Sequence, residues 1–279
     1  MCLSETRLYK GPNITNFTVF DLEYDANMQA LHCVHGIQVY VSDYLASACI
    51  KIVDIDANYN SVLWIKVSDM FILGAVYLPH ENSKYHYSGL FDDLSYDICK
   101  IKSKYDLPFI LIGDFNSRTG TMDDFITMDQ NDLIDSSNFE YLDFVNTFSI
   151  LDVPEERANV DTKVNNNGRR LIELCKCNEF CIVNGRFGSD KNIGKTTFHD
   201  KSTVDYVICT PDILPSITDF AVDIFNRLLS DKHNPTMCQN PTQFSNTFPM
   251  CLNPIQFSNI LGPFYHCKTL QTSQVFVFI

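Results

Sequence analysis

The stretch from Met70 to Ile112 constrains this chain more than any other. Residues 70–78 form a continuous apolar run of nine, rich in the side chains that suit strands. Leu90, Leu94, Ile98, Ile101 and Tyr105 then fall at spacings of 4, 4, 3 and 4, which lines one face of a helix. Pro108 cannot continue that helix, and residues 109–112 follow as a second short apolar run. Residues 36–41 and 62–67 read as further strands, and the turn Ser68-Asp69 predicts a hairpin between 62–67 and 70–78. Part of the sheet is therefore antiparallel. Helices are expected over 139–148 and 169–179, the latter leading into a strand at 181–184. Hairpins with helices between them fit two sheets packed face to face with helices outside, an α/β class. Pure alternation of helix and parallel strand fits less well.

Composition narrows the function classes. The 279 residues suit one domain, and 45% apolar with 20% charged residues is ordinary for a buried globular core. Net charge is −13, from 21 basic and 34 acidic residues. A protein that coats nucleic acid by charge should be basic, so the balance argues against that class. It leaves enzymes open, because carboxylates that bind a cation add negative charge where the cation cancels it. No secretory signal opens the chain, and its longest apolar run falls far below the roughly 20 residues that span a bilayer. A soluble, intracellular protein is the expectation. Eleven cysteines without a framework, and the cluster Cys175, Cys177 and Cys181 without partners at zinc spacing, read as reduced thiols.

The C-terminal stretch differs from the rest. Asn240-Pro-Thr-Gln-Phe-Ser-Asn246 recurs 13 residues later as Asn253-Pro-Ile-Gln-Phe-Ser-Asn259, and Lys268 is the only charged residue after Lys232. Two copies make no solenoid. Residues 1–236 are expected to form the domain, and 237–279 a tail outside its core.

Several polar residues sit where chemistry is done. Gly113-Asp114-Phe115-Asn116 follows directly on the strand at 109–112. A carboxylate and an amide two residues apart on a strand end point to one side of the pleat, and could orient a water and bind a phosphate oxygen. The same residue types also cap turns. Ser230-Asp231-Lys232-His233 places a histidine beside a carboxylate, which can fix its tautomer and raise its basicity. Asp205 lies within the apolar run 204–209, where an unpartnered carboxylate is costly, and Glu5 follows the apolar Cys2-Leu3. Gly194-Lys195-Thr196 looks like the end of a phosphate-binding loop but lacks the upstream glycine, the strand and the helix of one.

Taken in order, Ser4-Glu5-Thr6, Tyr77-Leu78-Pro79, Gly113-Asp114-Phe115-Asn116, Val204-Asp205-Tyr206-Val207 and Ser230-Asp231-Lys232-His233 resemble the endonuclease/exonuclease/phosphatase family. Arg118-Thr119-Gly120, Asn184-Gly185-Arg186 and Gly194-Lys-Thr-Thr-Phe198 resemble its LINE-type branch, the endonucleases of non-LTR retrotransposons. The resemblance covers residues 1–236. It implies a four-layered α/β/β/α sandwich, DNase I-like, with Glu5 as a direct Mg²⁺ ligand and Asp231 assisting at the metal. Asp114 would orient or deprotonate the attacking water, Asn116 would bind the phosphate, and Tyr77 would donate its hydroxyl to a phosphate oxygen. Asp205 would orient His233, which would stabilise the transferring phosphate.

Two departures accompany the resemblance. In the family an Asn-bearing strand sits centrally in its sheet and precedes the Glu motif by about one 30-residue βαβ unit. Here that first strand-helix unit is expected to be missing, which would open two sheet edges beside the metal site. Lys232 also separates an Asp and a His that are adjacent in the family, so a bulge or turn must restore their geometry. The expected activity is Mg²⁺-dependent nicking of DNA, with Mn²⁺ a possible substitute. An inactive relic of that domain, or a phosphatase or phospholipase with the same site, are the alternatives.

Overall fold

The computed structural model describes residues 1–4, 11–22, 36–53, 61–126, 147–225 and 232–238, and the backbone of 239 and 274–278. Among the described residues, two six-stranded sheets form the framework. The first is built from β1 (Cys2–Ser4), β2 (Phe17–Asp21), β3 (Gln38–Ser42), β10 (Asp219–Val222), β11 (Thr236–Gln239) and β12 (Gln274–Phe278). Its order is β10-β11-β12-β1-β3-β2. The second holds β4 (Cys49–Lys51), β5 (Val62–Val67), β6 (Phe71–Tyr77), β7 (Phe109–Asp114), β8 (Cys181–Ile182) and β9 (Asp205–Cys209), in the order β4-β5-β6-β7-β9-β8.

The local reasons are those of the sequence. β5 and β6 pair antiparallel from Val62↔Val76 to Val67↔Phe71, turning through Ser68, which takes a left-handed φ of 45°. The amphipathic stretch is helix α1 (Leu90–Tyr105), and it crosses to β7, which lies parallel to β6. Leu90, Leu94, Ile98 and Ile101 are each at most 1% exposed, against Ile72, Val76, Leu111 and Ile208 on the outer face of the second sheet. Burying each such side chain contributes about 1.5–3 kcal/mol. Asp106 ends the helix in a left-handed cap, its N–H donating to the Lys102 carbonyl. Helix α2 (Asn166–Asn178) lies beside α1 and begins earlier than its apolar pattern indicates. Its N-cap Asn165 accepts the Gly168 N–H through its side chain.

Between the sheets lies the main core. Ile37, Val39, Phe220 and Val222 of the first sheet and its approaches meet Leu63, Ile65, Leu73, Ile110, Ile112 and Val207 of the second. The architecture is thus an α/β sandwich, with α1 and α2 covering one outer face. On the other outer face the described residues supply an apolar cluster of Leu3, Ile14 and Tyr40. The second helical layer that the resemblance implies is not among them. The helix expected at 139–148 falls mostly outside the described residues. All described cysteines are free thiols. No helix among the described residues is long and apolar enough to cross a membrane.

Two expectations about sheet edges and the C-terminal stretch give way to a different arrangement. β12 pairs parallel with β11 and antiparallel with β1, so the place beside β1 where open edges were expected is filled. β12 and all of β11 but Thr236 come from the segment expected to stay outside the core, and Cys238 on β11 is 2% exposed in the inter-sheet core. The physical reason is local. Gln274-Val-Phe-Val-Phe278 is an uncharged run of β-branched and aromatic residues, which suits a central strand more than a solvated tail.

Candidate active site

Three strands of the second sheet end together. Tyr77 on β6 pairs with Asp114 on β7, and Asp114 pairs with Asp205 on β9. Directly paired residues on neighbouring strands share a sheet face, so the phenol and both carboxylates form one cross-strand row. Gly113 makes the approach possible. It has φ 148°, and a Cβ there would stand 1.8 Å from the Val76 carbonyl oxygen. A side chain would push β6 and β7 apart immediately before Asp114.

After Asp114 the chain turns instead of continuing in the pleat. Asn116 has a left-handed φ of 48°, and its backbone N–H donates to Asp114 Oδ1 at 2.7 Å. Its Nδ2 donates to Asp114 Oδ2 at 3.0 Å and to the Leu78 carbonyl at 2.8 Å. The pair is therefore brought together by an Asx-type turn, not by strand alternation. Here the amide braces the Asp114 carboxylate against the end of β6.

The segment just before β11 supplies the third group. His233 Nδ1 lies 2.9 Å from Asp205 Oδ2, with the two side chains 6% and 1% exposed. A carboxylate can only accept, so Nδ1 carries the proton and Nε2 is left to face other chemistry. Ligand atoms of Asp114, Asp205 and His233 all lie within 4.8 Å of one another. Lys232, the intervening residue, is exposed while His233 is buried, and its carbonyl accepts the His199 N–H. Glu5 and Asp231 lie outside the described residues. Glu5 follows directly on β1, which faces β6 and β7 across the core.

Several supporting residues were not singled out from the sequence. Thr197 Oγ1 accepts the N–H groups of Val204 and Asp205 at 3.0 and 3.1 Å. Asn184 Nδ2 donates to the Asp205 carbonyl and its Oδ1 accepts the Val207 N–H. Arg118 Nε meets Asp161 Oδ2 at 2.7 Å. Burial pushes the Asp161 carboxyl up, but the Arg118 hydrogen bond and the N–H groups of Thr203 and Lys163 outweigh it and hold it below the ordinary carboxylate range. Asp190 is the opposite case: burial raises it, while the N–H groups of Lys195 and Gly185 offset part of the effect. Asp124 and Arg186 form a buried pair at 2.7 Å, and Asp124 also accepts the Ile182 N–H of β8. The usable signal was that Asn184, Thr197 and Arg118 lie within the short segments that resemble the LINE-type branch. An acidic residue's role as a loop brace leaves no mark in spacing.

No family model matches the sequence, and no curated protein matches it. Solved structures do. An AP endonuclease from Archaeoglobus fulgidus shares 14% identity over 84% of this chain and 86% of its own, at a TM-score of 0.52. The AP endonuclease LMAP from Leishmania major shares 10% identity over 79% and 72%, at 0.51. The fold is DNase I-like. The endonuclease domain of TRAS1, a telomere-specific non-LTR retrotransposon, is 16% identical over 78% of this chain and 77% of its own, at 0.45. Within the DNase I-like fold, Asp114 ends β7, Asp205 begins β9, and His233 lies in the segment just before β11.

Proposed function

We propose that the chain is a divalent-metal-dependent phosphodiesterase that nicks DNA, of the kind carried by non-LTR retrotransposons. The observation that carries this reading is the buried convergence of Asp114, Asp205 and His233, with His233 held on Asp205 at 2.9 Å. The retrotransposon branch rests on Arg118-Thr119-Gly120 and the segments around Asn184 and Thr196, and DNA as substrate follows from it.

The residues present suit a hard cation. The carboxylates of Asp114 and Asp205 come within 4.8 Å of each other, and like charges this close favour a nearby cation. Glu5 and Asp231 would complete the holding of Mg²⁺, or of Mn²⁺ in its place. The bound ion supplies charge stabilisation for the non-bridging phosphate oxygens. Asp114, held by both the backbone and side-chain N–H groups of Asn116, orients the attacking water and accepts its proton. Asn116 acts through this brace. His233 stabilises the transferring phosphate through Nε2, and Asp205, bonded at Nδ1, orients the ring. Tyr77 shares the cross-strand row and presents its phenol to the same phosphate.

Incubation of the purified chain with supercoiled plasmid and Mg²⁺ tests the reading. Relaxed circles in Mg²⁺ and none in EDTA are expected. Release of inorganic phosphate from inositol polyphosphates, with the plasmid left intact, would replace it with the phosphatase reading.

A further inference from the structure

One short segment holds both members of the Asp205–His233 pair. Thr197 is fully buried, and its hydroxyl oxygen takes the N–H of Asp205 and that of the preceding Val204. These amides lie where β9 begins, at the point that fixes where the Asp205 carboxylate stands. The backbone of the same residue reaches the other partner: the Thr197 carbonyl accepts the N–H of Asn234, next to His233. The neighbours extend the grip. The Thr196 carbonyl accepts Asn234 Nδ2, and the His199 N–H donates to the Lys232 carbonyl. Phe198 bridges to His233 along the backbone and sets its ring edge-on to the imidazole, 4.8 Å between centroids. His233 is thus bonded through the residues on both sides of it, and Asp205 through its own amide, by four consecutive residues.

We infer that Thr197 is a positioning residue for the Asp205–His233 pair: its hydroxyl and carbonyl together set the spacing that lets Asp205 hold the Nδ1–H tautomer of His233. The inference deepens the proposed nuclease reading and rests on it only for the rate. Valine matches threonine in shape but removes the acceptor, so the Val204 and Asp205 N–H groups would lose their partner and the end of β9 would shift. Serine keeps the acceptor. A ligand-orienting partner of this kind is worth roughly 10–100-fold in activity.

Nitrogen NMR of the isotope-labelled full chain, in mildly alkaline buffer without metal or DNA, reads the tautomer directly. The parent and Thr197→Ser are expected to show His233 protonated at Nδ1 alone, and Thr197→Val a mixture of both tautomers. In plasmid nicking, Thr197→Val should lose roughly 10–100-fold in kcat with KM within about twofold, while serine restores most of the rate. Should the valine variant not fold, Thr197→Ala, which leaves room for water at the two amides, is expected to show the same tautomer mixture. A folded valine or alanine variant with the parent's single tautomer would overturn the inference. If the parent itself shows no nicking, the functional reading fails, while the tautomer comparison still decides the role of Thr197.

Discussion

At the scale of single residues, the site was legible where chemistry demands rare combinations and opaque where residues merely brace. An aspartate inside the apolar run at 204–209 needs a partner, and His233 Nδ1 is that partner. Asn116 was legible as a neighbour of Asp114 but not in geometry, because a left-handed residue after a strand reverses what alternation implies. Replacing His233 by Gln removes an oriented donor, and the nicking rate should fall roughly 10²–10³-fold with plasmid affinity little changed. The Arg118–Asp161 pair gives a pH test. Asp161 titrates lower in the folded chain than in the unfolded one, so its stabilisation is present above about pH 4 and fades as pH falls through the folded value. Urea unfolding between neutral and strongly acid pH should therefore lose stability on the acid side. Asp161→Asn should be less stable at neutral pH and show a flatter acid limb. An unchanged limb would remove Asp161 from the acid response.

Elements were most legible where the apolar period is long and least where strands are short. α1 follows from five residues at helical spacing, and Leu94→Ala should cost about 2–5 kcal/mol in thermal or chemical unfolding. β4 and β11, each of four residues or fewer, carry too little period to be read without the sheet they join. Helix α2 was placed late at its start because Asn165 to Gly168 show no apolar stripe; the Asn165 cap makes the first turn instead. Gly113 links element to site. Alanine there would force β7 away from β6 at Val76, and a loss of roughly 3 kcal/mol or more is expected, together with lower activity, since Asp114 is the next residue. A Gly113→Ala variant as stable as the parent would show that the two strands can part without cost.

For the whole molecule, the two-sheet plan follows from the hairpins and the covering helices, whereas the pairing of distant segments does not. β1 and β12 stand at opposite ends of the sequence, and no local pattern states that Cys2 faces Phe276. Deleting residues 272–279 should leave β1 and β11 with unpaired edges, and unpaired edges associate. Light scattering should then find larger species than the full chain forms, and a deletion of unchanged size and stability would show that β12 is dispensable. In the proposed function Asp114 works beside Asp205 and His233 in a metal-assisted phosphodiester cleavage. Its most direct measurement is the Mg²⁺-dependent nicking of supercoiled plasmid by the parent chain and by Asp114→Asn, which keeps the size of the side chain and removes its charge. A loss of roughly 10²–10⁴-fold in the variant, with its unfolding midpoint unchanged or raised, is the expected result. Nicking by Asp114→Asn at the parent's rate, or equal nicking by the parent in EDTA, would contradict it.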